Sequence, residues 1–529
     1  IFSRLVRAYL LGYLSSTTPR ILGVVLALLR RKQTLRDAFA HVSASLLPSP
    51  HRERPRSAEP AGLLRHILVQ AASPNRFPTF CGVLVGGSTL LQTPFLALSS
   101  SLVQYLRTRK QWQISARLPL RTARFLAALV AAIVSFSLLN AGGSKAIHQK
   151  DPSTSLQTDG THPADRSNDA RALHDVPLAG KTMDLTLYAS IRALDIAIST
   201  LLFPASPSTA NRSCSSPPGL RSRLTAVLAA VAPPALFALS SATIMHAWFY
   251  APARLPRAYS TWIARAARLD PRLLRALRLA RAGTFKYGEP SPSPSPPPPG
   301  SDGTSAQVAP LLGSLAEDLG LPRESGDPAR TAPVPCALVH QGAGPSCERH
   351  ALRRFARAFA FAARMYVPLQ LAMLLRRGRR SSPSSSGPAA ATALRRALAS
   401  AARSSAFLGA FVALFYYGVC LARTRVGPRL GGGHAGGALG WDAGPCVLGG
   451  CALCGWSVML EEPRRRVEMV FFVLPRAAGV WVPRRYRRKY RWREHVAFAL
   501  STAVVFAAVQ ERPEAVRGML GGVLHGVLT

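Results

Sequence analysis

Long apolar runs alternate with short basic ones along this chain, and the apolar runs are of helical length. They fall at 5–29, 80–103, 124–140, 183–203, 224–250, 351–375, 404–421, 445–460, 467–481 and 495–509. A run of about 20 apolar residues matches the thickness of a bilayer core, and several shorter runs come close to it. The pattern predicts an all-α, polytopic helical membrane protein of about eight to ten membrane segments. Two runs carry internal breaks. The first is interrupted by Arg7, Thr17, Thr18, Pro19 and Arg20, which predicts an interfacial or broken segment, and Pro233-Pro234 predicts a bend in 224–250.

The polar stretches divide the chain. Residues 1–79 hold an apolar segment and a Pro-containing polar loop, and 80–286 form a first membrane half. Within that half, 142–181 reads as a disordered insertion rich in Asp, Ser and His. The Arg repeat over 257–281 predicts a basic amphipathic helix suited to anionic lipids, with a solvated linker helix as its alternative. Residues 287–333 begin with SPSPSPPPPG at 291–300 and predict a disordered linker. A second membrane half occupies 334–529.

The halves share a pattern. Asp184 precedes Arg192 by eight residues, as Glu468 precedes Arg476, and Ala follows each Arg. Ser137 follows the aromatic Phe136 as Ser457 follows Trp456. An acid-x7-Arg-Ala helix used twice predicts two related halves, against chance similarity of apolar helices. An Arg inside a membrane helix costs about 2.5 to 3.5 kcal/mol on insertion scales, so each needs a carboxylate, a carbonyl or water. Asp195 is the natural partner of Arg192, one helical turn on. Either the two arginines lock helices together, or they bind an anion or lipid headgroup.

Composition supports a membrane setting. The chain of 529 residues is 48% hydrophobic and 17% charged, yet carries a formal charge of +41. Its mean hydropathy is +0.13 and its pI about 11.5. The basic residues flank apolar runs and form no stripe interleaved with exposed aromatics, which argues against nucleic acid as partner. The expected partner is the lipid bilayer, with a homo- or hetero-oligomer also open. Basic loops on both sides of 467–481 leave orientation undefined by the positive-inside rule. The chain opens at Ile1 and not Met, which leaves room for an upstream targeting segment.

Small residues mark helix contacts. Gly82 and Gly86 form a G-x-x-x-G, and Gly432, Gly436, Gly440 and Gly444 repeat at four-residue spacing, either a glycine-zipper face or a loop. Cys336, His340, Cys347 and His350 give C-x3-H-x6-C-x2-H, donors suited to zinc at spacings unlike a standard finger. The expectation is a cap of reduced cysteines over the next helix, without metal or other cofactor. Enzyme signatures are incomplete. Gly180-Lys181-Thr182 ends like a P-loop, but Asp175 stands where the first Gly belongs. No H-E-x-x-H occurs, and Gly455-Trp456-Ser457 lacks the Gly that completes a nucleophile elbow.

The Cys/His pattern, Pro345-Ser346-Cys347 and the helix ending Met365-Tyr366-Val367-Pro368-Leu369 resemble the start of the transmembrane protein 135 family. Residues 449–481 are similar to its later portion. The resemblance implies a non-enzymatic multi-pass protein of peroxisomal or mitochondrial membranes, concerned with membrane organisation, organelle dynamics or movement of lipid or metabolite. More distantly it suggests kinship with peroxisomal membrane protein 4 and the mitochondrial import-channel superfamily. A translocase-type channel subunit and a lipid-modifying membrane enzyme are the rival readings.

Overall fold

A computed structural model describes residues 2–29, 60–110, 117–141, 178–202, 220–283, 287–288, 311–331, 333–378, 387–430 and 440–528. In chain order the principal helices are α1 (Phe2–Leu29), α2 (Pro60–Ala71), α3 (Phe77–Leu90), α4 (Gln92–Lys110), α5 (Leu118–Ala141), α6 (Met183–Leu202) and α7 (Leu220–Tyr250). Then come α8 (Arg257–Ala267), α9 (Pro271–Arg281), α10 (Cys347–Gly378), α11 (Gly387–Leu421), α12 (Pro445–Cys454), α13 (Pro463–Trp481), α14 (Arg491–Glu511) and α15 (Gly518–Leu528). Among the described residues the fold is all-α apart from one ladder, in which β1 (Leu178–Ala179) pairs antiparallel with β2 (Tyr486–Arg487).

Among the described residues six helical stretches are long and apolar enough to cross a membrane: Phe77–Thr108, Leu118–Ala141, Val227–Tyr250, Cys347–Arg376, Ala390–Arg429 and Arg488–Glu511. This is fewer than the eight to ten expected. The helices of Arg192 and Arg476 are not among them. Pro445–Leu460 and Gly518–Leu528 are apolar but short.

The chain forms two compact units, Ile1–Arg212 with Pro483–Thr529, and Ser213–Val482. The division therefore does not fall in the Pro/Ser linker, as the sequence pattern suggested. Helix α7 belongs with the second unit and α14 with the first, because each finds its aromatic partners there. Hydrophobic pattern marks a helix as buried but does not say against which neighbour.

In the first unit α14 is central, with α5 and α6 packed on it and α3 and α4 behind α5. Phe136 is fully buried and stacks on Phe498 at 4.3 Å between ring centroids, and Phe80 approaches Phe498 at 5.9 Å. Between helices of spanning length such rings hold by close packing, since lipid is as apolar as the ring itself. Ser501 donates a hydrogen bond to Ser190 at 3.1 Å, tying α14 to α6. Helix α1 lies on α3, where Leu5 fills the space left by Gly86: a Cβ there would stand 2.7 Å from Leu5 Cδ1. The expected break in α1 does not occur. The hydroxyls of Ser15, Ser16 and Thr17 bond to the carbonyls of Gly12 and Tyr13, so this polar turn before Pro19 is satisfied within the helix.

In the second unit α7 is central, with α12 and α13 packed on it, while α11 lies between α10 and α12. Phe249 stacks on Phe415 at 5.3 Å, and Phe237 meets Phe407 edge-on at 5.7 Å. Helices α11 and α12 approach at Gly418 and Gly450, where a Cβ on Gly450 would lie 2.7 Å from the Phe415 carbonyl. Helix α7 runs unbroken through Pro233-Pro234.

The basic helix expected over 257–281 is two helices. Arg268 takes a left-handed conformation (φ 48°), and Asp270 then caps α9 with Pro271 at its first turn. The end of the linker is ordered too. Leu311, Leu312, Leu315 and Ala316, around the short helix Gly313–Asp318, pack on Leu273 and Ala276 of α9. Their helical spacing is an apolar face that the neighbouring Ser, Gly and Pro residues obscured in composition. Residues 289–310 and 142–177 lie outside the described residues.

Candidate functional site

The thiols and imidazoles singled out in the sequence lie in the second unit, at the open end of the α10–α11 hairpin. Cys347 opens α10, Cys420 is the penultimate residue of α11, and Cys336 begins the short helix Cys336–Val339. His340 follows that helix. Gly342 and Gly344 then take positive φ (76° and 87°), turning the chain so that the Gly344 carbonyl meets His340 Nδ1 at 2.7 Å. A carbonyl can only accept, so Nδ1 carries the proton and Nε2 presents a lone pair. That lone pair faces Cys420 Sγ at 3.4 Å. The donor atoms of His340, Cys347 and Cys420 all lie within 4.8 Å of one another. Cys336 lies near Cys347 but is not one of the three donors that converge; burial pushes its thiol above the usual cysteine range while the Arg423 guanidinium pulls the other way.

His350, the fourth member of the sequence motif, is not among the converging donors. It stacks on the His340 ring at 4.5 Å, and its edge meets Tyr416 at 5.3 Å. Cys420 was not in the motif, being 80 residues from His340. A Cys beside a His is also a nucleophile pair, but Cys420 and His340 are 3% and 1% exposed, which denies a substrate access.

Two buried arginines frame the cluster. Arg354 sits 4.1 Å over the Tyr416 ring and donates to the carbonyls of Ala267 and Arg268, at 3.0 and 3.2 Å, closing the end of α8. Arg423 holds Asp442 through two hydrogen bonds, at 2.5 and 3.0 Å, with both side chains 7% exposed, and also donates to the Val334 carbonyl at 2.8 Å. Tyr287 donates to the same carboxylate.

The other charges behave differently from one another. Arg192 is buried and donates to the Arg517 carbonyl, with Asp195 within electrostatic reach. Arg476 is half-buried, lies 3.8 Å over Phe472 and 5.3 Å from the Tyr259 ring, and donates to the Phe472 carbonyl. Asp184 pairs with Arg484 at 2.8 Å, and Glu468 is exposed. A buried carboxylate that sequence reasoning missed is Glu494 in α14, which accepts from Thr182 at 2.7 Å, from Thr186 at 3.3 Å and from Tyr486.

The glycines divide as well. Gly82 faces Tyr9 and Gly86 faces Leu5. Gly440 and Gly444 flank the 3-10 turn Trp441–Ala443, and Gly444 has φ 152°, so they do not continue as one α-helical face. Gly432 and Gly436 lie outside the described residues. The Phe136/Trp456 equivalence fails in detail: Phe136 and Ser457 are buried, whereas Ser137 and Trp456 are exposed. Phe136 sits on a regular helix and Trp456 on a 3-10 segment, so the helical phase differs.

Comparison with known proteins gives no match: no family model, no curated protein and no solved structure is significantly similar to the chain.

Proposed function

We propose that this is a non-enzymatic, multi-pass organelle membrane protein that organises its bilayer or moves lipid or metabolite within it. The observation that carries the reading is the outward apolar surface of the long helices. In Cys347–Arg376 only 11% of the most apolar stretch is buried, and Leu352, Leu369 and Leu375 are 68%, 53% and 71% exposed. Large apolar side chains left exposed on several sides of a helix of spanning length suit lipid as their solvent. Lipid handling is supported by an open groove of about 440 Å³ between α1 and α15, lined by Leu10, Leu11, Leu14, Gly522 and Val523 with Arg7 among them. Such a surface accommodates an acyl chain beside an anionic headgroup. Exposed Trp262, Arg265, Arg268 and Arg275 on α8, α9 and their junction suit the headgroup layer.

The choice of peroxisome or mitochondrion rests on the resemblance described above. Alkaline carbonate extraction and imaging of the tagged chain test both levels. Retention in the membrane pellet at either organelle supports the reading. Release by carbonate contradicts membrane integration, and residence in another membrane contradicts the organelle assignment.

Two related halves are supported by the order of packing. In one series α1 packs on α3, α3 on α5, and α5 and α6 on α14. In the other α10 packs on α11, α11 on α12, and α12 and α13 on α7. Thus α7, which follows α6 in the chain, stands in the second unit where α14, which follows α13, stands in the first. Each is followed by a 3-10 turn, Pro252–Arg254 or Pro513–Ala515. Arg476 lies over Tyr259 just beyond the first turn, and Arg192 binds the Arg517 carbonyl just beyond the second. In this reading each half gives its fifth helix to the other.

A further inference from the structure

We propose that Cys336, His340, Cys347 and Cys420 form a structural zinc site that clamps the open end of the α10–α11 hairpin. Tetrahedral zinc with bonds of about 2.3 Å to sulfur and 2.0–2.1 Å to nitrogen sets its donors about 3.6–3.8 Å apart. The His340 Nε2 to Cys420 Sγ distance of 3.4 Å is close to that spacing; the Cys347 thiol lies within 4.8 Å of both, and Cys336, just outside that group, would close on the ion as the fourth ligand. The hydrogen bond from His340 Nδ1 to Gly344 fixes the tautomer that leaves Nε2 free to ligate, the outer-shell arrangement usual for metal-bound histidine. Three thiolates and one imidazole favour zinc over the hard, oxygen-seeking cations.

The half-buried Cys336 and Cys347 give the ion a way in, while buried His340 and Cys420 shield it from the other side. Binding would replace two or more thiol protons by the metal and join three chain segments: the start of α10, the end of α11 and the helix Cys336–Val339. His350 supports the His340 ring by stacking and stays outside the coordination sphere. A closed four-ligand shell leaves no position for a substrate, so the role is structural.

The full chain, purified in detergent with reductant, is analysed for bound metal and then reloaded with Co²⁺ after chelation. The expected result is about one zinc per chain and an intense thiolate-to-cobalt charge-transfer absorption with tetrahedral visible bands. Cys420→Ser and His340→Ala should lose the zinc, and His350→Gln should keep it. Because a substitution in α11 can unfold the hairpin, maleimide labelling of the unmodified chain provides a second readout. Cys336 and Cys347 should label slowly with zinc, quickly after chelation and slowly again when zinc returns. A folded, metal-free chain without the cobalt band, a Cys336–Cys347 disulfide, or zinc retained by Cys420→Ser would each overturn the proposal.

Discussion

Arg278 of α9 donates to the carbonyl of Phe249 at 2.6 Å and to that of Trp248 at 3.2 Å, closing the last turn of α7. The last carbonyls of a helix lack partners within it, and a cation there also meets the negative end of the dipole. An arginine that reads in the sequence as one of a lipid-facing row is thus turned inward as a cap.

Arg278→Ala should therefore destabilise the second unit by about 1–2 kcal/mol, with Arg278→Lys intermediate because it keeps the charge but loses the fork. Thermal unfolding in detergent measures this. Equal stability of all three forms would show that the contact contributes nothing.

The Arg423–Asp442 pair should show strong coupling. Removing one partner of a buried pair strands a charge and costs about 3–5 kcal/mol, so Arg423→Met and Asp442→Leu should each be severe. The double variant should be less destabilised than the sum of the two. Additive losses in a double-mutant cycle would argue that the pair is not enclosed as described.

Asp270 gives a pH-dependent element. Burial acts to raise its carboxyl, but the side chain and backbone N–H of Arg272 outweigh it and hold the group below the usual carboxylate range. A carboxylate depressed in the fold stabilises above its unfolded pKa, near 3.9, and loses that contribution as pH falls through the folded value. Hydrogen exchange over 271–281 should stay slow down to about pH 4 and rise below it. Asp270→Ala should exchange faster at neutral pH, by about the 1 kcal/mol of a lost N-cap, and show no such acid step.

Sequence gave access to local features and not to long-range partners. Helix existence followed from apolar runs, and the Asp270-Pro271 stop was readable as a cap followed by a first-turn proline. The face of Leu311, Leu312 and Leu315 was readable as well, although composition argued for disorder. Cys420 was not, because it looks like any small apolar residue near a helix end until folding sets it against His340. Glu494 stands between a basic run and an apolar one, and only its approach to Thr182 and Tyr486 marks it as a buried acceptor.

The exchange of fifth helices is tested most directly at Ser190 and Ser501, whose hydroxyl oxygens lie 3.1 Å apart although they come from different halves of the chain. Cysteines are placed at both positions, a protease site is inserted within 291–300, and membranes are oxidised, cleaved and run on a non-reducing gel. We predict that the two fragments stay covalently joined until reductant is added, and separate in both single-cysteine controls. Fragments that separate in the double variant without reductant would contradict the assignment of α14 to the first unit and the exchanged pair of halves with it.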